Sequence, residues 1–93
     1  MSKLADAEVA ARLGSVAEWT LDGETIERER SFADFAAAVA FLNSVAELAE
    51  AANHHPDILV HSWNKVRLTL STHSEGGLTD ADFRLAHEID QLS

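Results

Sequence analysis

The chain contains no cysteine. That single absence removes disulfide frameworks, thiolate zinc sites and cysteine nucleophiles together. Glycine is scarce, at Gly14, Gly23, Gly76 and Gly77. All four fall where a turn is wanted, and the one adjacent pair is too short for a phosphate-cradling loop. No Gly-x-Ser-x-Gly nucleophile elbow is present. Basic residues are few: seven Lys and Arg stand against sixteen Asp and Glu, a net charge of −9. That sign opposes a bulk electrostatic grip on nucleic acid or on an anionic membrane. The N-terminus lacks an apolar run of signal-peptide length, and no stretch of ~20 apolar residues stands out as a bilayer span. The expectation is one soluble, cytoplasmic domain over residues 1–93, with no nucleic-acid or membrane partner. A core this small leaves room for help from oligomerisation.

What is present is a regular alternation of elements. "DAEVAARL" (6–13) reads as a short helix, with Leu4, Val9 and Leu13 at helical spacing and Gly14 as its terminator. "VAEWTL" (16–21) alternates like a strand, Asp22-Gly23 is a hairpin signal, and 25–30 returns as a second strand. Ile26 alone marks that strand's apolar face, because Arg28 and Arg30 share it. Residues 32–53 carry the longest helical pattern, with Phe35, Val39, Leu42, Ala46 and Ala49 as the stripe and Phe32, Phe41, Val45 and Leu48 widening it. The only proline, Pro56, ends that helix. Strands follow at 57–62 and 64–73, residues 74–77 form a loop, and a last helix spans 79–92 with Thr79 and Asp82 as a capping box. The order α-β-β-α-β-β-α predicts an α+β domain: a four-stranded antiparallel sheet with three helices on one face.

The candidate chemistry is histidine. His54 and His55 are adjacent at a helix-to-strand junction, and His73 follows the fourth strand. If the last two strands pair as a hairpin, all three converge at one sheet edge, with Glu50 one helical turn before His54. Imidazole is the usual proton-transfer group near neutral pH. The bland alternative is a helix-end dipole partner. No His-x-His or His-x₃-His spacing supports zinc, so no metal is expected. Asp82 reads first as a cap and second as a site carboxylate. His61 and His87 read as structural or solvated, and Trp19 and Trp63 as core or rim aromatics able to stack on a planar ring.

With those residues in place, the pattern "E-AAN-HHP", Trp63, nine residues to His73, then Asp82, resembles the signature of the pterin-4a-carbinolamine dehydratases. The segments "ADF" at 33–35, "NKV" at 64–66 and "TH" at 72–73 extend the likeness over nearly the whole chain. The resemblance implies loss of water from a 4a-hydroxytetrahydropterin to give the quinonoid dihydropterin, without metal or cofactor, in recycling the cofactor of aromatic amino acid hydroxylases. It implies the same α+β fold and a homodimer or homotetramer. It assigns His54, His55 and His73 to the active site. Asn53, Ser71, Thr72 and Ser74 would hold the pterin with them, Trp19 would lie near the pocket, and Glu50 and Asp82 would be supporting acids. His54 and His73 are the expected proton-transfer pair, with His55 orienting the substrate. Ile58, Arg30 and Trp63 depart from the family's usual residues. The animal relatives' role beside a transcription factor is not expected here. The alternatives are a non-enzymatic interaction module built on the 32–52 helix, or a pterin-binding protein of another pathway.

Overall fold

Phe35–Ala52 forms one helix, α2, and its two ends show why the chain bends there. At the start, the Asp34 side chain accepts from the Ala37 amide at 2.7 Å, a standard N-cap bond. Phe32 stays outside the helix and packs its ring 5.0 Å from that of Phe41. At the far end Asn53 adopts the left-handed conformation (φ 51°). The His54 amide then bonds to the Ala49 carbonyl and the Asn53 amide to that of Glu50. This is a Schellman-type stop, and Pro56 prevents any continuation.

The computed structural model describes residues 2–92. In chain order its elements are α1 (Asp6–Leu13), β1 (Thr20–Asp22), β2 (Thr25–Ser31), α2, β3 (Asp57–His61), β4 (Lys65–Leu70) and α3 (Asp80–Asp90). The four strands form one antiparallel sheet in the order β1-β2-β4-β3. The fold is the expected α+β arrangement in the expected order. Ile26, Val66, Leu68 and Leu70 point from the sheet into the core and meet Ala38, Phe41 and Val45 of α2 and Phe83, Leu85, Ala86 and Ile89 of α3. Each large apolar side chain so buried contributes roughly 1.5–3 kcal/mol.

Several boundaries differ from the sequence reading. The first strand is not 16–21: Gly14–Val16 is a short 3₁₀ turn, with Gly14 in the right-handed region (φ −61°) rather than ending the helix left-handed. Only Thr20–Asp22 pairs with β2. Val16 and Trp19 are both buried, a three-residue spacing that alternation would have split between faces. The fourth strand stops at Leu70, and His73–Glu75 is a second 3₁₀ turn. Along α2 the buried row is Ala38, Phe41, Val45 and Ala49, whereas Phe35, at the head of the predicted stripe, is 57% exposed. The helix is apolar around most of its circumference, so periodicity alone could not select the face. With 18 residues and a mean hydropathy of 1.4, α2 is also the one described helix long and apolar enough to cross a bilayer, against the sequence expectation.

The two arginines of β2 resolve cleanly. Arg28 and Arg30 point to the helix side with Ile26, as the register Ile26↔Leu70, Arg28↔Leu68 and Arg30↔Val66 requires. Arg28 ion-pairs with Asp90, which also accepts from Trp19 Nε1 at 2.8 Å. The Arg30 guanidinium lies 5.1 Å and 4.7 Å from the ring centres of Phe32 and Phe41.

Candidate active site

Side chains alternate across a strand, and here that rule divides two adjacent pairs. The register Asp57↔Thr69 and Ile26↔Leu70 brings the start of β3, the end of β4 and the start of β2 side by side. Thr25, His55, Asp57, Thr69, Ser71 and His73 all line one small cavity of about 20 Å³ on the sheet face that carries no helix. Their neighbours His54 and Thr72 turn the other way, toward α3.

On that inner side Asp82 is fully buried and fully bonded. Its Oδ2 accepts from the Thr72 hydroxyl at 2.8 Å and from the Thr79 amide at 2.9 Å. Its Oδ1 lies 2.5 Å from His54 Nε2. Thr79 Oγ1 lies 2.9 Å from Thr72 Oγ1 and accepts from the Ala81 amide, and the reciprocal bonds between the Thr79 side chain and the Asp82 amide and between the Asp82 side chain and the Thr79 amide make a capping box. An ionised carboxylate only accepts, so His54 carries its proton on Nε2. Asp82 is therefore both the cap and the partner of a site histidine. The His54 side chain is only 15% exposed.

On the outer side Glu50, in the last turn of α2, accepts from His55 Nε2. The same logic puts the His55 proton on Nε2 and leaves Nδ1 as its acceptor. His55 is more than half exposed. Further along the outer face, His61 Nε2 lies 2.5 Å and Arg67 3.2 Å from the Glu29 carboxylate. The hydrogen bond from His61 is the main reason the Glu29 carboxyl sits below its ordinary value. Burial between aromatic rings, with repulsion from Arg28, pulls Arg30 down from the usual guanidinium value.

The three histidines thus do not converge. His55 and His73 share a cavity, and His54 lies behind them on Asp82. Ser71 lines the cavity and bonds its hydroxyl to the Glu24 carbonyl at 2.8 Å. Thr72 belongs to the Asp82 network. Asn53 serves as the left-handed helix terminator, and Ser74 is exposed in the turn after His73. Trp19, expected near the pocket, is a core residue bonded to Asp90, eight residues and about 12 Å along α3 from Asp82. Trp63 is neither core nor rim: it projects from the β3–β4 turn, 63% exposed, at the opposite end of that hairpin from the histidines. Thr25, Asp57 and Thr69 escaped the sequence reading. Asp57 lies two residues after His55, the spacing that puts both on one face.

The family model described as "Pterin 4 alpha carbinolamine dehydratase" matches residues 2–92. A relative from Cyanothece sp., named "Putative pterin-4-alpha-carbinolamine dehydratase", is 50% identical over 97% of this chain and 92% of its own length. One of the same name from Roseiflexus castenholzii is 51% identical over 96% of this chain and 95% of its own. Among solved structures, a "transcriptional coactivator/pterin dehydratase" from Brucella melitensis superimposes with a TM-score of 0.89 at 35% identity, covering 96% of both chains. A pterin dehydratase-like protein identified as a RuBisCO assembly factor of the alpha-carboxysome matches with a TM-score of 0.63 at 25% identity, over 77% of this chain and 82% of its own.

Proposed function

The chain belongs to the pterin 4 alpha carbinolamine dehydratase family, and we propose that it removes water from a 4a-hydroxytetrahydropterin by histidine acid–base catalysis. The observation that carries this reading is the shared cavity of His55 and His73, with His55 held by Glu50. The C4a–O bond breaks as protonated His73 gives its proton to the departing hydroxyl, which leaves as water. Nδ1 of His55 takes the N5 proton, and the N5 electron pair closes the C4a=N5 bond of the quinonoid dihydropterin. Both imidazoles border solvent, which returns the proton from one to the other before the next turnover. This pairing replaces the His54–His73 pair expected from sequence. His54 becomes a positioning residue, because Asp82 already occupies its Nε2.

The reaction needs no metal or cofactor on this scheme. The setting is cytoplasmic recycling of a tetrahydropterin. A homodimer or homotetramer suits the chain, since Phe35 and much of α2 leave apolar surface uncovered. Light scattering reads that directly.

Stopped-flow absorbance on a synthetic 4a-hydroxytetrahydropterin tests the activity. His55→Ala and His73→Ala are each expected to lose about 10²–10⁴-fold in rate, the usual worth of a positioned acid or base. A wild-type rate no faster than buffer sinks the enzyme reading. Equal rates in wild type and both variants sink the residue assignment.

A second reading, a non-enzymatic interaction module, draws on the likeness to the RuBisCO assembly factor. Calorimetry separates the two: the module reading requires a chain that binds no pterin yet captures a specific protein partner.

A further inference from the structure

The cavity between His55 and His73, at about 20 Å³, is smaller than the volume of one water in the liquid, about 30 Å³. Ligand sites are usually at least about 300 Å³, and a bicyclic pteridine cannot enter this one. A second cavity of about 230 Å³ lies beside it on the same sheet face, lined by Glu27, Asp57, Ile58, Leu59, Arg67 and Thr69. Asp57 and Thr69 border both. The two cavities follow two successive rows of the sheet. Thr25 and Ser71 hold the first row, beside His55 and His73, and Glu27, Thr69 and Asp57 hold the second. Same-face rows are separated by two residues, about 6.5–7 Å, which is on the scale of a fused bicyclic ring.

We propose that the two cavities form one groove and that Asp57 is its specificity residue, accepting hydrogen bonds from the N3–H and 2-amino group of the pterin's pyrimidine half. The proposal rests on the dehydratase reading for the placement of the reacting C4a–N5 bond between His55 and His73. The pyrimidine half then extends over the second row, beside Asp57.

Charge and occupancy favour this residue. Arg67, the one arginine or lysine among the described residues lining the groove, is paired with Glu29, and Glu29 is bonded in turn to His61. Asp57 is exposed and has no ion pair or hydrogen bond from its side chain. A free carboxylate beside the histidines is an acceptor in search of donors, and the amino–imino edge of a pterin offers two in parallel. Glu27 shares the second row but lies across Thr69 from Asp57, on β2, and borders only the outer cavity, away from His55 and His73.

The test uses calorimetry with 7,8-dihydropterin and with 7,8-dihydrolumazine, in which an oxo group replaces the 2-amino group, alongside the dehydration assay. The wild type is expected to bind the dihydropterin at least tenfold more tightly than the dihydrolumazine. Asp57→Asn, checked for retained fold by circular dichroism, is expected to lose tenfold or more in dihydropterin affinity and most of that preference, with kcat changed less than KM. A wild type that shows the Asp57-dependent preference but does not dehydrate overturns the reaction and leaves the groove standing. A wild type that dehydrates, with Asp57→Asn holding Kd and KM within twofold, overturns the groove and leaves the reaction. A wild type that binds neither ligand overturns both.

Discussion

His54 Nε2 lies 2.5 Å from Oδ1 of Asp82, a carboxylate with no exposure to solvent. One side chain thereby ties the end of α2 to the start of α3 and also serves the second helix as its cap. His55, next in the chain, has a separate carboxylate, Glu50, on the opposite side. Each histidine of the pair has its own acid, and each acid fixes a tautomer.

Replacing Asp82 by alanine removes three hydrogen bonds at once: it orphans His54 Nε2 and the Thr79 amide and leaves the Thr72 hydroxyl only its contact with Thr79 Oγ1. Hydrogen bonds to charged groups are worth about 1.5–3 kcal/mol each, but the three share one group and do not add fully. The expected loss is about 3 kcal/mol, a fall of more than ~10 °C in Tm for a domain of this size. Thermal unfolding by circular dichroism checks it. Asp82→Asn gives a finer outcome. Two donors converge on Oδ2, so the amide oxygen takes that place and the NH₂ faces His54. The ring must then accept, and its proton moves from Nε2 to Nδ1. Long-range ¹H–¹⁵N spectra that show Nε2–H in both proteins contradict the network described.

Much of this was written in the sequence, and the gaps have physical causes. Helices α1, α2 and α3 and the two hairpins are legible because apolar spacing, Asp34, Asn53, Pro56 and the Thr79–Asp82 box mark them locally. Strand β1 was overextended because "VAEWTL" alternates in composition while the chain makes a 3₁₀ turn before it. The histidines were found, but their sides were not: facing depends on the register Asp57↔Thr69, a nonlocal fact. Trp19 matched a motif position, yet its indole N–H is answered by Asp90, seventy-one residues away. Asp57 carried no signal beyond its two-residue spacing from His55.

Arg30 sits where the family resemblance favours an apolar residue, and its surroundings explain why it is tolerated. Its guanidinium packs on Phe32 and Phe41 while burial disfavours the charge. Desolvated cation–π contacts reach about 2 kcal/mol, and the stem adds apolar packing. Arg30→Ala is expected to cost about 2 kcal/mol in urea unfolding. Arg30→Leu should recover at least half of that, because it restores packing without a charge to desolvate. Equal losses in both variants would show that the charge, not the stem, holds this corner.

Glu29 gives the outer face an acid-sensitive contact. The His61 hydrogen bond, with the charges of His61 and Arg67, lowers the carboxyl against a smaller desolvation effect. A depressed folded-state value means that the unfolded chain takes up the proton first as pH falls. The contribution is therefore fully present above about the ordinary value of 4.5 and is lost as pH drops through the folded one. Glu29→Gln should flatten the stability–pH curve below that point. Because the pair is exposed, raised salt should shrink the effect. A ¹³C carboxyl titration of Glu29 with its midpoint at or above 4.5 contradicts this assignment.

The β3–β4 turn carries a conformational cost in its backbone. Ser62 and Trp63 both have positive φ, 50° and 56°, and neither is glycine. Left-handed backbone costs an L-residue roughly 1–2 kcal/mol, and glycine avoids that cost. Trp63 is 63% exposed, so its removal sacrifices little packing. Glycine also makes the unfolded chain more flexible, which takes back part of the gain. Trp63→Gly is therefore expected to stabilise the domain by about 0.5–1 kcal/mol, measured by urea unfolding at a protein concentration low enough to keep its oligomeric state unchanged. The turn lies at the far end of the hairpin from His55 and His73, so the dehydration rate should hold within twofold. A loss of stability instead means that the indole packs on something outside the single chain. Light scattering of both proteins then identifies it: a Trp63→Gly chain that falls to a smaller oligomer than the wild type at the same concentration places a second copy against the indole.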